Sequence, residues 1–419
     1  MRPWLSDTLR SFRHRNFRLY YGGQLVSMTG YWMQQTAQGW LVLVLTNSPG
    51  LLGLAGAVAG LPTLFLAVVA GVVADRMDRR RLLIITNGAS ALFALIMALL
   101  TTFNVVEYWH ILVLMFLTGL AFTVQLPASQ AVVSSIVDRR SIGNAVALNS
   151  AQYNLLRIIA PALAGLFIAA DALALGFWVN AIALGLAAAI ISRLTIPSER
   201  DVDRAQSAIW HDLQDGLRYV MANRVLAIVV LLPGVPALFV LNYLTFIPVY
   251  ARDILATGPA GLGLLTGAIG VGALTGALSL ASLRPSGGSG RLVLGALVIV
   301  GFALMTFAVS RNLIVSMLAL ALIGAFQVNF YSTTNTLIQV LVPARLRGRV
   351  LSLYLLTSIG LIPIANLVGG VVAEHSGVEI VLLGGGVLTV GIALATFVLE
   401  PRIGRLRAAH LSASEAAEA

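Results

Sequence analysis

The stretch Gly71-Val72-Val73-Ala74-Asp75-Arg76-Met77-Asp78-Arg79-Arg80-Arg81 closes one long apolar run and opens the next. Four arginines are concentrated in it. A chain that leaves a bilayer, turns and re-enters it retains positive charge on the cytoplasmic side, and the rest of the sequence repeats the arrangement. All 27 basic residues are arginine, and 24 of them fall in every second gap between twelve apolar stretches. They sit in the N-terminal arm (Arg2 to Arg18), at Arg76 to Arg81, at Arg139 and Arg140, and at Arg193 to Arg224. The series continues at Arg284 and Arg291, Arg345 to Arg349, and Arg402 to Arg407. The intervening gaps hold Arg252 and Arg311 alone, and Arg157 lies inside an apolar stretch. This alternation predicts twelve spans with both termini on the cytoplasmic face of the cell membrane.

Composition agrees. Hydrophobic residues make up 58% of the 419 and charged residues 11%, with a mean hydropathy of +0.90, outside the range of soluble domains. Twelve spans of about 20 residues need roughly 240 apolar positions, which this composition supplies. The net charge of +10 is spread beside apolar helices, so anionic headgroups rather than nucleic acid are its expected partner. With no cysteine there is no disulfide, thiolate metal site or cysteine nucleophile. The absence of lysine excludes a P-loop lysine and a Schiff base. The five scattered histidines form no metal pair, and no nucleophile elbow occurs. The reading is of a non-enzyme without metal or cofactor. The first apolar stretch lacks a small-x-small cleavage site and is expected to be a retained helix.

The expected spans are approximately 17–46, 50–74, 81–103, 108–130, 142–170, 172–192, 223–251, 259–283, 291–309, 313–337, 347–373 and 378–399. A longer connection, 193–222, divides a six-helix bundle over 1–192 from a second over 223–419. Within it Ile209, Trp210, Leu213, Leu217 and Val220 recur at helical spacing, as in an amphipathic helix lying on the membrane surface. The halves repeat each other. Gln130, Gly143, Ala160 and Gly165 correspond, at a constant offset of 205, to Asn335, Gly348, Ala365 and Gly370. Spans two and eight share a glycine face (Gly53, Gly56, Gly60; Gly263, Gly267, Gly270), while Gly270, Gly272 and Gly276 read as helix-packing notches. The fold class expected is all-α: twelve transmembrane helices in two pseudo-symmetric bundles.

The run from Gly71 to Arg81 resembles the loop G-x-x-x-D-R-x-G-R-R-[RK] of the major facilitator superfamily, with Asp78 standing where that pattern has its second glycine. The segment Arg157 to Gly165 is similar to the G-P-x-x-G-G element of the superfamily's exporters, keeping Pro161 and Gly165 and replacing two glycines with Ala160 and Ala164. Together with the long central connection and Pro127-x-x-Gln130, the resemblance covers essentially the whole chain. It is nearest to the branch of enterobactin exporters and macrolide efflux proteins. It implies alternating access, with Gly71, Asp75, Arg76, Arg79 and Arg80 at an inner gate and Asp75 facing the start of span eleven. It also implies a bend at Pro161 and Gly165, and export coupled to protons.

Residue chemistry adds a candidate binding surface. A charge at mid-span costs several kcal/mol unless it meets water, protein or a counter-charge. Arg157 is therefore either a cavity cation facing an anionic or carbonyl-rich substrate, or a structural arginine held by neighbouring carbonyls and amides. Gln24, Ser27, Tyr31, Gln34 and Gln38 share one face of span one; Asn242, Tyr243, Gln327 and Tyr331 are comparable positions elsewhere. Amides beside aromatics suit a bulky amphipathic ligand, though some of them are expected to bridge helices instead. No carboxylate stands at mid-span, so proton coupling comes from the resemblance alone. The function expected is export of a drug or siderophore-like metabolite by a monomer. Nutrient uptake on the same fold and a non-transporting membrane sensor or scaffold are the rivals.

Overall fold

The computed structural model describes residues 10–138, 141–194, 209–282 and 290–406. The positions of Gly71, Asp75, Arg76, Gln130, Arg345 and 209–213 fall outside the described side chains. Every regular element among the described residues is helical. Within hydrocarbon no water can satisfy a backbone amide, and a helix meets the need inside one segment.

In chain order the first six long helices are α1 (Arg15–Thr46), α2 (Pro49–Arg76), α3 (Arg79–Thr102), α4 (Tyr108–Ser135), α5 (Ile142–Ala169) and α6 (Ala174–Ile191). A shorter helix, α7 (Ile209–Ala222), precedes the seventh span. That span is broken into α8 (Arg224–Leu231), α9 (Gly234–Phe239), α10 (Tyr243–Val249) and a π-helical turn, Tyr250–Ile254. Then come α11 (Gly258–Ser282), α12 (Gly290–Val309) and α13 (Leu313–Leu341). The eleventh span is α14 (Ala344–Leu355), a π turn at Leu356–Gly360, and α15 (Ile362–Ser376); α16 (Val378–Leu399) is the last.

Among the described residues eleven helical segments are long and apolar enough to cross a membrane. The twelfth expected span, α1, has 32 residues, ample for a crossing. Its glutamines keep it outside the apolar set.

The first turn shows how sequence sets a boundary. Asn47 takes the left-handed conformation at φ 50° and returns its N–H to the Leu43 carbonyl, ending α1. Ser48 then accepts the Leu51 N–H at 3.0 Å, with Pro49 in the first helical position, where a missing N–H costs nothing.

The single helices expected over 223–251 and 347–373 are each interrupted. Pro233, Pro236 and Pro248 remove amide donors from the first, and Pro363 opens α15 in the second. A side chain repairs one freed carbonyl: the Thr357 hydroxyl donates to Val230 at 2.8 Å.

Packing divides the chain into two compact units. One comprises Met1–Asn47, Val58–Gln206 and Gly258–Leu264; the other Ser48–Ala57, Ser207–Thr257 and Leu265–Ala419. Within the first, Gly165 of α5 lies against Gly263 of α11, where added Cβ atoms would meet backbone at 3.1 Å. Within the second, Gly53 of α2 meets Gly370 of α15 in the same manner, at 2.6 Å. Deeper in the second unit the carbonyls of Ala321 and Ala325 occupy the places where Cβ atoms of Gly272 and Gly276 would stand. Both glycines are the notches their spacing announces. Helix α7 also belongs to this unit: Arg349 of α14 pairs with Asp215 at 2.9 Å, and Val220 is buried while Leu217 and Met221 are exposed.

Gly272→Ala should lower stability by about 1–3 kcal/mol through overpacking, seen as a fall in the thermal midpoint of the purified protein. Gly295→Ala, whose Cβ meets nothing within 4 Å, serves as the control. Equal midpoints for the two variants would contradict the notch.

Candidate functional site

Two polar clusters stand out, one in each unit. In the first, α1 carries Tyr31 and Trp32, α4 carries Phe122, and α5 carries Tyr153 and Arg157. Tyr31 stacks on Phe122 with centroids 6.2 Å apart and meets Trp32 edge-on at 5.4 Å. Trp32 meets Tyr153 edge-on at 5.6 Å. The Arg157 guanidinium carbon lies 5.7 Å from the Trp32 ring centroid, a cation–π distance. Tyr153 and Arg157 are one helical turn apart, so α5 presents ring and cation on one face. Tyr31 lies within electrostatic reach of both, and Gln35 donates to its hydroxyl at 3.2 Å.

Arg157 is half-buried, and no carboxylate pairs with it among the described residues. The Trp32 indole nitrogen is buried without a hydrogen-bond partner. A face-on aromatic ring supplies about 0.5–2 kcal/mol to a cation, less than the several kcal/mol that a mid-membrane charge costs. Water or a ligand must make up the difference.

The span-one amides divide. Gln34 is buried and accepts from the Asn180 amide of α6 at 2.7 Å, beside Gly30, whose missing Cβ lets the Asn180 backbone approach. Gln38 is also buried. Gln24 donates to the Tyr20 hydroxyl at 2.7 Å. Tyr31 is thus the stripe residue that joins Arg157, while Gln34 belongs to a helix bridge.

In the second unit, Asn242 and Tyr243 lie where the seventh span breaks between α9 and α10, and both are buried. Interrupted spans expose backbone polarity near mid-depth and recur at transporter binding sites. On α13, Gln327 and Tyr331 are one turn apart. Tyr331 lies within electrostatic reach of Tyr243 and Tyr354, and the Tyr354 hydroxyl donates to the Tyr331 carbonyl at 3.2 Å. The side-chain atoms Asn242 Oδ1, Gln327 Nε2, Asn329 Oδ1, Tyr331 OH, Thr333 Oγ1 and Thr334 Oγ1 are buried with no protein partner. Each such atom costs about 1–3 kcal/mol unless water or ligand reaches it.

At the basic turn the side chains of Asp75 and Arg76, and the Gly71 position, lie outside the described residues. Arg79 opens α3. Arg80 donates to the Ser192 carbonyl at the C-terminus of α6, where the helix dipole favours a cation. Asp78 is the N-cap of α3, accepting the Arg81 N–H at 2.8 Å. A capping carboxylate thus stands where the family pattern places glycine, and both residues are tolerated at an N-cap. Pro161 and Gly165 lie in one continuous helix, α5, at its approach to Gly263. Asp78, Tyr153 and Tyr354 were absent from the expected site. Tyr153 carried a signal, its one-turn spacing from Arg157; Tyr354 and the cap at Asp78 depended on contacts that spacing alone does not single out.

A family model described as transmembrane secretion effector matches residues 6–417. The staphyloferrin A transporter of Staphylococcus aureus is 24% identical over 388 residues, covering 92% of this chain and 96% of that protein. The multidrug efflux pump Tap of Mycobacterium tuberculosis is 27% identical over 370 residues, covering 86% and 87%. The enterobactin exporter EntS of Shigella boydii is 23% identical, covering 98% and 99%. Among solved structures, the nucleoside transporter NupG superposes with a TM-score of 0.74 at 12% identity, over 92% of this chain and 98% of that one.

Asp78→Ala should cost about 1 kcal/mol of stability, and Asp78→Gly only a few tenths. Thermal unfolding of the two purified variants distinguishes them; a larger loss for glycine than for alanine would count against the cap.

Proposed function

We propose, from the premise that the chain belongs to the transmembrane secretion effector family of major facilitator transporters, that it exports an amphipathic small molecule in exchange for protons. It is a multi-pass membrane transporter and not an enzyme. The observation that carries export is the family match over residues 6–417, joined by exporters of a siderophore and of drugs that align over most of its length. The substrate is a drug-like or siderophore-like compound with both polar and aromatic parts.

In this reading the protein is a monomer of the cell membrane with both termini cytoplasmic. Its bundles, 1–192 and 223–419, alternate in access to the two faces, joined by the connection 193–222. Arg157 and Tyr31 contact the substrate from one bundle, with Gln24, Gln34 and Gln38 behind them. Asn242, Tyr243, Gln327 and Tyr331 are the candidate contacts within the second bundle. Six unbonded buried polar atoms in the second unit support a surface that water and substrate visit in turn. Gly71 and Asp75, with Arg76, Arg79 and Arg80, control the inner gate. Pro161 and Gly165 supply a bend in α5.

Cells expressing the protein should accumulate less of a toxic amphiphile than vector controls, and collapsing the pH gradient should abolish the difference. Accumulation above the control would establish uptake instead. Asp75→Asn should reduce transport at least severalfold while surface expression and ligand affinity persist. Expression lost in parallel with transport would assign Asp75 a structural role.

A further inference from the structure

Arg157 is a guanidinium inside a span, and among the described residues no carboxylate pairs with it. Three acidic residues at the outer ends of the described spans have partners of their own. Asp253 pairs with Arg252 at 2.6 Å, Glu379 with Arg311 at 3.0 Å, and Glu374 accepts from the Ser48 hydroxyl at 2.6 Å and the Gly50 N–H at 2.8 Å. None stands at mid-span. Trp32 lies beneath the Arg157 guanidinium, Tyr153 and Tyr31 meet that ring edge-on, and both tyrosines lie within electrostatic reach of the cation. The first unit therefore offers a guanidinium fork, a buried indole N–H without a partner, and aromatic faces. Among the described groups of this cluster the one formal charge is positive.

We propose that the transported compound bears an anionic oxygen on an aromatic ring, and that Arg157, with the Trp32 indole N–H as second donor, receives that oxygen while Tyr31 and Tyr153 flank the ring. The proposal rests on the transport reading above and narrows it to a charge class. A guanidinium binds a carboxylate or acidic phenolate through paired N–H donors, and its weak hydration leaves the plane free to stack. A cationic amphiphile at the same place would face like charge, and a neutral one would leave the guanidinium unanswered.

The test uses the purified full-length protein and three ligands of matched shape: 2-naphthoate, 2-naphthylmethanol and 2-naphthylmethylammonium. Calorimetric titration should show naphthoate bound roughly tenfold more tightly than the alcohol, equivalent to one charge-assisted contact, with the ammonium weakest. Arg157→Gln should erase that order, and Arg157→Lys should keep it in weakened form. Trp32→Phe should weaken naphthoate severalfold with little effect on the alcohol. Ammonium bound as tightly as naphthoate by the unaltered protein would overturn the proposal, as would a folded Arg157→Gln protein that retains the anion preference. Should the glutamine variant not fold, the wild-type order and the lysine variant decide the question. Export of cationic or neutral amphiphiles without any anion preference would sink this proposal and leave the transport reading standing. Anion preference in a protein that moves no ligand across proteoliposomes would uphold the binding site and sink transport.

Discussion

A polar group without a partner in hydrocarbon costs several kcal/mol, and that cost organises this molecule from its helix ends to its candidate site. Hydroxyls within the spans return to the preceding turn: Thr29 donates to Leu25, Thr36 to Trp32, Thr306 to Phe302 and Thr389 to Gly385, each four residues back. Amides bridge helices where a hydroxyl cannot reach, as between Asn180 and Gln34. Carboxylates stand at span ends, and arginines or helix-start donors meet several of them. Against so consistent a background the exceptions gain meaning. Among the described residues, Arg157 and the unbonded atoms of Asn242, Gln327 and Tyr331 are some of the places where the chain leaves its own polarity for something else to satisfy.

The second recurring device is the glycine crossing. Gly165 and Gly370 occupy equivalent positions of the internal repeat, 205 residues apart, and each meets a glycine of another span. Side-chain identity between the repeats is slight, yet close backbone approach survives in both, because packing without Cβ atoms is what the crossing requires. The two crossings are unequal in energy. Beside Gly370, Glu374 grips Ser48 and Gly50 at the start of α2, where the helix dipole favours an anion. The equivalent position on α5 is Ala169, which has no group to offer. One crossing is held by packing, the other by packing and a charge.

Much of this was legible beforehand because it follows from composition along the chain. Alternating arginines delimit spans by a rule that depends on one dimension only, and the glycine notches at Gly272 and Gly276 follow from small residues inside an apolar helix. The breaks in spans seven and eleven were not legible in the same way. Proline is tolerated in membrane helices when neighbours resatisfy the freed carbonyls, so Pro233 and Pro236 announce a break only once the Thr357 hydroxyl is found on Val230. The fate of the span-one stripe was equally hidden. Gln34 and Tyr31 share a face by periodicity, but what separates them is Asn180, 146 residues away. Pairings at such distances are set by tertiary packing, about which local spacing says nothing. Arg157 lay between these cases: its position marked it as costly, and its partner ring had to be seen.

The choice of arginine at position 157 carries a consequence that a lysine would not. A buried lysine can shed its proton and its cost together, whereas a guanidinium remains charged throughout the accessible pH range. Its surroundings must therefore accommodate the guanidinium when no ligand is bound. The half-exposure of Arg157, the Trp32 face and the amide-rich first helix meet that need without cancelling the charge, as a carboxylate would. In the proposed reading a cation that no carboxylate pairs among the described residues is poised to exchange water for an anion. On the same proposal that exchange replaces solvent contacts with a directed pair at little cost in reorganisation, so selection by charge would come before selection by shape.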